Sequence, residues 1–327
     1  MIAFVMSGGG NRGALQVGAL QVLLEAGIVP DLVVGTSVGA INGAFVAHDP
    51  TVQGTQQLAR IWARVTRDDL YPGNRLTALW SMVRGKEGLF SNANWERFLS
   101  QHLPCDTTGE LTGAHCYIAA TDLQSGKLHV FGEDKNDPLL DALMATCALP
   151  PLHPPYWIDG RAYIDGGTTA NLPLRIALEK GATQIYALNI SRELTPGKAR
   201  NFLAVSSHAV GALLKRQIDL DLEHCASHEN VWMRQIDLIY NKEVEPWDFS
   251  RTEELIALGR EAAQLALSQG LRPPTWQERL VEGAEGFLTS LATVTTNLGT
   301  LFWSKPPLNQ TVPVRSASTS AKQNTDS

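Results

Sequence analysis

The chain has no basic excess: 27 Lys and Arg stand against 33 Asp and Glu, a net charge of −6. That argues against a nucleic-acid binder, which needs surplus cations to neutralise phosphates. Cysteine is also scarce. The four, Cys105, Cys116, Cys147 and Cys225, lack C-x-x-C spacing, so neither a zinc site nor a disulfide framework is indicated and a reducing, cytoplasmic setting fits. No stretch reaches the ~18 strongly apolar residues that a membrane-spanning helix needs. The apolar start, Ile2 to Met6, has no basic lead and no cleavage-like site before Ser7, so it reads as a first strand and not as a signal peptide. Internal repeats are missing too. What remains is a chain of 327 residues, 44% hydrophobic, long enough for one large domain or two modest ones with ample core.

The stretch that organises it is Asp31-Leu32-Val33-Val34-Gly35-Thr36-Ser37-Val38-Gly39-Ala40. An apolar strand runs into a G-x-S-x-G turn and out into a helix, the setting of a nucleophile elbow, with Ser37 at the tip. Such a turn strains the central residue and crowds its neighbours two positions away, where Gly35 and Gly39 supply the missing Cβ atoms. The helix predicted from Ala40 to Ala47 carries Ala40, Gly43, Ala44 and Ala47, small enough to lie close on a sheet. Its positive N-terminal end favours an anion near Ser37.

Upstream, the strand Ile2–Met6 leads into Ser7-Gly8-Gly9-Gly10-Asn11-Arg12-Gly13 and then a helix from Ala14 to Ala26, ended by Gly27. With the strand at Leu32 to Val34 this makes a βαβ unit, so the two strands are expected parallel. Residues 51–104 read as helices and loops whose apolar faces carry Trp62, Leu79, Trp80, Trp95, Phe98 and Leu99, with Ser91 or Asn94 as a cap for the last helix. These aromatics suit core packing, and some suit an acyl pocket. Two hairpins follow, at 117–132 and 156–164, the second delivering Asp165-Gly166-Gly167; between them lies a short helix from Leu139 to Ala148. Asn171-Leu172-Pro173 opens another helix, and strands are expected at Gln184 to Ile190 and Val231 to Ile239. Ser250-Arg251-Thr252-Glu253 has the capping-box pattern and starts a helix that closes at Gly270.

The glycine loop and the elbow both leave the C-terminal ends of parallel strands, where α/β sites form. The amides of Gly9, Gly10 and Asn11 suit the oxyanion of an ester hydrolase, a donor typically worth about 3 kcal/mol in the transition state. Arg12 suits either an anionic headgroup or a salt bridge that fixes the loop. Gly8-x-Gly10-x-x-Gly13 also fits a dinucleotide fingerprint, but that needs an acid at the end of the second strand, where Gly35-Thr36-Ser37 stands. For Ser37 the order Ser37, Asp165, then His208, His224 or His228 permits a Ser-Asp-His triad, while the choice of base stays between a histidine and a carboxylate: Asp165, ending a strand before two glycines, can sit at a sheet edge with backbone cleared for a close neighbour.

Taken together, Gly8-Gly9-Gly10-Asn11-Arg12-Gly13, Gly35-Thr36-Ser37-Val38-Gly39 and Asp165-Gly166-Gly167, in this order, resemble the patatin-like phospholipase family. The resemblance covers about residues 1–270, with further similarity at Gly88-Leu89-Phe90, Ala119-Ala120-Thr121-Asp122 and 145–155. It implies an α/β fold, a patatin-like three-layer sandwich with a central, mostly parallel sheet and helices on both faces. It implies a Ser37-Asp165 dyad without histidine and an oxyanion hole from Gly8, Gly9, Gly10 and Asn11. Arg12, Gly13, Gly35, Gly39, Gly166 and Gly167 would support the site. The implied chemistry is acyl-ester hydrolysis of lipids, as a phospholipase A or carboxylic ester hydrolase, without metal or organic cofactor. A non-enzymatic lipid-associated protein of the same fold is the alternative. The chain departs from the family at Cys147, where serine is frequent, and at His153, where an aromatic is usual.

Residues 271–304 read as a linker and an amphipathic helix, and 305–327, rich in Pro, Ser, Thr, Asn and Gln, as a disordered tail. Leu280, Ala284, Phe287, Leu291, Val294, Leu298 and Leu301 form an apolar stripe, and Gly286 to Ser304 carries no charge. Such a helix suits peripheral membrane contact through 284–303, docking on the catalytic domain, or pairing with another copy.

Overall fold

The structure, a computed structural model, describes residues 1–72, 87–191, 202–242, 244–245 and 247–269. The expected helix and tail beyond 270 therefore lie outside the described residues, as do Leu79 and Trp80.

Strands β1 (Ile2–Met6), β2 (Leu32–Thr36), β3 (His115–Asp122), β7 (Gln184–Ser191) and β8 (Trp232–Ile239) are parallel and run β3-β2-β1-β7-β8 across the sheet. This is the order of a doubly wound sheet, with the β1 loop beside the point where the winding reverses. An antiparallel wing is added on β3 by β4 (Leu128–Phe131) and β6 (Arg161–Asp165), and β5 (Tyr156–Ile158) pairs with β6. Both expected hairpins are present, and the eight-stranded sheet is mixed.

Strand alternation sorts the core into two faces. Phe4, Met6, Val33 and Leu188 pack with helices α1 (Gly13–Glu25), α2 (Val38–His48) and α3 (Val52–Arg64). Ala3, Val5, Leu32, Val34 and Ile185 pack on the opposite face. Helix α4 (Arg67–Leu70) places Leu70 in a smaller cluster with Val65 and Tyr71, while Leu99 of α5 (Ala93–His102) and the apolar face of α6 (Leu139–Cys147) join the first core. After α7 (Gly167–Ala170), helices α8 (Leu174–Glu179) and α9 (Phe202–Ala226) cover the second face through Leu174, Ile176, Ile218 and Cys225. Helix α10 (Thr252–Ser268) crosses α1 so closely that a Cβ on Gly18 would sit 1.9 Å from the Ile256 carbonyl oxygen, and one on Gly259 1.9 Å from that of Leu15. The result is the three-layer α/β sandwich that the resemblance implied.

Two helix starts differ from expectation. Helix α10 has Arg251 at its N-cap and no side-chain cap. The Ser250 amide instead donates to Asp248 Oδ1 at 2.9 Å and the Thr252 hydroxyl to the Phe249 carbonyl at 2.8 Å, a local turn that uses up the groups a capping box would need. At α5 the N-cap is Asn92, without a side-chain cap bond, while Ser91 Oγ accepts from the Ala93 amide at 3.2 Å.

Candidate active site

The site forms at a seam in the sheet. Along one edge of β3, residues 115–119 pair with β2, ending at Ala119 opposite Thr36. Residues 120–122 pair with β6, Ala120 lying opposite Asp165, while β4 pairs with 118–121. Because β4 and β6 pair with the same β3 residues, they occupy opposite edges, so β6 takes over the edge that β2 leaves. The two strands meet head to head. Where β2 turns away at Ser37, β6 ends at Asp165.

Ser37 sits at the elbow with φ 54° and ψ −128°, a conformation that an L-residue keeps only when its surroundings enforce it. A Cβ on Gly35 would lie 2.5 Å from the Ala40 backbone, and one on Gly39 2.5 Å from the Met6 carbonyl oxygen, so both close approaches require glycine. The Ser37 amide donates to Thr146 Oγ1 at 2.8 Å, and the Thr146 hydroxyl donates to the Ala119 carbonyl at 2.5 Å. Ser37 itself is half-buried between buried neighbours.

Asp165 is 4% exposed. Its Oδ1 accepts from the Gly167 amide at 2.7 Å and its own amide donates to the Ala148 carbonyl at 2.9 Å. Burial pushes its carboxyl up to about 6, and the hydrogen bond from the Gly167 amide and the nearby Ser37 hydroxyl pull in the other direction. Gly166 is packed so tightly against β3 that a Cβ would lie 2.0 Å from the Ala119 carbonyl oxygen.

The glycine loop lies alongside. Ser7 ties it to β7, its amide donating to the Leu188 carbonyl at 3.2 Å and its hydroxyl accepting from the Ile190 amide at 2.8 Å. A Cβ on Gly8 would come within 3.2 Å of Ser37 Cβ, and one on Gly13 within 2.3 Å of Val38 Cγ2, so loop and elbow are in contact. The Gly8 amide is committed to the Asn171 carbonyl at 3.1 Å. Among the described residues the amides of Gly9 and Gly10 have no hydrogen-bond partner, and Gly10 is exposed with φ 61°. Asn11 is buried, and its side-chain amide clamps the 245–248 segment by donating to the carbonyls of Glu245 at 2.9 Å and Asp248 at 2.6 Å. Arg12 is half-buried at the end of this turn.

Both departures lie at or just beyond the C-terminal end of α6. Cys147 is half-buried at the end of α6, beside Ser37 and Asp165; burial and the carboxylate hold its thiol far above the ordinary range, so it stays protonated. His153 is 4% exposed and burial pushes it down to about 4, which makes it a neutral ring. It packs against Tyr71 and Trp95 with centroids 5.6 and 6.1 Å apart, and so fills an aromatic's place as an uncharged one. Among the described residues no histidine hydrogen-bonds to Ser37 or Asp165. No group of three or more His, Cys, Asp or Glu among them is arranged to hold a metal ion, and no helix among them is long and apolar enough to cross a membrane.

Sequence reasoning missed the polar residues that brace the site from below. Gln16 donates to the Ser7 carbonyl at 2.8 Å, Asn42 donates to the Gly13 carbonyl and to Gln16 Oε1 at 3.0 Å, and Trp62 donates to Asn42 Oδ1 at 2.9 Å. Gln16 and Asn42 are polar side chains inside otherwise apolar helical runs, as is Thr146, and that misfit was the available signal.

Residues 4–178 match the Patatin-like phospholipase family. The chain belongs to the patatin-like phospholipase family. Among curated patatin-like relatives, it is 32% identical over 194 residues to the patatin-like phospholipase domain-containing protein 6 of Mus musculus, covering 59% of this chain and 14% of that protein. It is 29% identical over 195 residues to the neuropathy target esterase sws of Drosophila melanogaster, covering 59% and 13%. The chain thus spans only a small part of the length of these relatives. Among solved structures, VipD from Legionella pneumophila aligns over 82% of this chain and 66% of its own, at 14% identity and a TM-score of 0.43. Human GIVD cytosolic phospholipase A2, in complex with methyl gamma-linolenyl fluorophosphonate, aligns over 82% and 59%, at 12% identity and a TM-score of 0.41.

Proposed function

We propose that this chain is a lipid acyl hydrolase, a phospholipase A or carboxylic ester hydrolase, working through a Ser37-Asp165 dyad. The observation that carries the reading is the seam between β2 and β6, which sets a strained serine beside a buried carboxylate with no histidine bonded to either. Membership of the patatin-like phospholipase family supports the lipid ester as substrate.

In this mechanism Ser37 Oγ bonds to the ester carbonyl carbon as its proton passes to Asp165, and the carbonyl oxygen becomes an oxyanion. The amides of Gly9, Gly10 and Asn11 receive that charge. The Gly8 amide, spent on Asn171, serves as the loop's anchor and not as a donor. Collapse of the tetrahedral state breaks the carbon–oxygen bond to the alcohol, which leaves with the proton from Asp165. Water then attacks the acyl-enzyme, giving its proton to Asp165, and the fatty acid is released as Ser37 is reprotonated. Proton transfer by a positioned base is worth roughly a hundred- to ten-thousandfold.

A fluorophosphonate probe tests the reading, because its phosphorus traps an activated serine and mimics the tetrahedral state. The expected result is a label that maps to Ser37 and is lost in Asp165→Ala. A folded chain that stays unlabelled with lipid present overturns it. Peripheral membrane contact through 284–303 is a separate part of the proposal; liposome flotation of the full chain against one ending at Gly270 tests it, and equal flotation removes it.

A further inference from the structure

We propose that Thr146 is a positioning residue for this reaction: its hydroxyl sets the Ser37 backbone, and with Ala148 it makes the end of α6 a brace across the seam. The proposal rests on the dyad reading above.

Thr146 is fully buried, and both hydrogen-bonding directions of its hydroxyl are in use. Its one hydrogen goes to the Ala119 carbonyl at 2.5 Å, which turns a lone pair toward the Ser37 amide 2.8 Å away. Ala119 is the β3 residue opposite Thr36, the last pairing before the elbow. Two residues after Thr146, the Ala148 carbonyl accepts from the Asp165 amide at 2.9 Å, and Asp165 pairs with Ala120. Thr146 and Ala148, with one residue between them, therefore hold the main chain on both sides of the seam. Cys147, between the two anchors, is near enough to Asp165 and Ser37 for both to act on its thiol.

The elbow needs such a brace. Ser37 precedes the first turn of α2, so its amide has no carbonyl one turn earlier to bond. Without an acceptor there, the buried donor would be left unpaired. Because Thr146 takes this amide, Ser37 N is not available to an oxyanion.

A brace of this kind acts on rate, since small misplacements of a nucleophile are costly while substrate binding is indifferent to them. Thr146→Val keeps the shape and removes the hydroxyl; Thr146→Ser keeps the hydroxyl. The experiment follows fluorophosphonate labelling of the full chain over time, where the endpoint counts folded sites and the first-order constant reports their geometry. Hydrolysis of a p-nitrophenyl ester gives kcat and KM in parallel. Wild type must label and Ser37→Ala must not; failure at this stage overturns the dyad reading and the proposal with it. Given that, Thr146→Val should label to the wild-type endpoint with a rate constant lower by about a hundredfold, kcat falling likewise and KM unchanged. Thr146→Ser should restore the rate to within about threefold. A loss confined to the endpoint would mean that Thr146 serves folding alone, and that result overturns the proposal. So does a wild-type rate in Thr146→Val, or a loss in Thr146→Ser as large as in the valine variant. If Thr146→Val gives no folded protein, Thr146→Ala is read by the same criteria.

Discussion

Ser37 and Asp165 end two strands that meet on one edge of β3, and each is held away from its ordinary state in a different way. Ser37 is strained in shape: its φ of 54° is one that other L-residues avoid. Asp165 is strained in charge: its backbone is regular strand, but burial raises its carboxyl to about 6. Conformational strain is enforced by the groups that touch the elbow, here Gly35, Gly39, the start of α2 and the Thr146 hydroxyl. Electrostatic strain is set by everything that displaces water, so it depends on the packing of β3, α6 and the loop at 148–153.

The largest effect should come from removing the nucleophile. Ser37→Ala should lower kcat by about a millionfold, as losing the serine of a hydrolase typically does. Ser37→Gly should be equally inactive but more stable than wild type by about 1 kcal/mol, because relief of strain exceeds the entropy that glycine adds to the unfolded chain. Urea unfolding checks this, and a destabilised Ser37→Gly would mean that the elbow stores no strain.

Asp165 should show its strain in pH. A base must be ionised to act, so kcat/KM should fall about tenfold per pH unit below 6 and level off above it. Stability should move the opposite way. The folded value lies above the ordinary 3.8, so the folded state holds the proton more tightly. The associated stabilisation is present below about pH 4 and is lost as pH rises through about 6. Asp165→Asn should therefore lose a hundredfold or more in kcat while gaining on the order of 2 kcal/mol at pH 8, measured by denaturant titration.

This contrast also explains what was legible in the sequence. The elbow, the glycine loop and the hairpin that delivers Asp165 are marked by glycines at close backbone approaches, so Gly35, Gly39 and Asp165-Gly166-Gly167 stood out in the sequence although the groups that approach Gly39 and Gly166, at Met6 and Ala119, are far along the chain. The seam did not, because nothing within β2 or β6 says that they share an edge of β3. Thr146 is a polar misfit in its helix, but its role was hidden for the same reason: its two partners are 27 and 109 residues away. The commitment of Gly8 to Asn171 likewise joins residues that no spacing rule connects. The capping box at 250–253 failed in the other direction, a local pattern overruled by a turn that Asp248 and Phe249 make first.

A tight contact without chemistry provides the control for both kinds of strain. Gly18→Ala or Gly259→Ala would drive a methyl group into the backbone of the facing helix, where neither α1 nor α10 has a side chain to move aside. Each should cost about 3 kcal/mol in stability, at the upper end of overpacking penalties. The labelling rate constant per folded site should stay at the wild-type value. A fall in that constant would mean that the α1–α10 crossing sets site geometry too, and the strain at Ser37 would no longer be local.

The smallest effects should come from histidine, and they decide how the acid limb is read. An imidazole has an ordinary pKa near 6.5, so a limb near pH 6 fits a histidine as well as it fits Asp165. His153 is too acidic to produce it, since burial takes that ring down to about 4. His224 and His228 face one another at the end of α9, centroids 4.9 Å apart, with His228 Nδ1 2.9 Å from the His224 carbonyl oxygen. His208 lies on the same helix. His208→Ala, His224→Ala and His228→Ala should each keep kcat/KM within about twofold and leave the limb in place. If one of them instead shifted the limb or lost activity by a factor typical of a missing base, with the fold intact, the proton would belong to a Ser-Asp-His triad. The raised carboxyl of Asp165 would then serve to orient an imidazole.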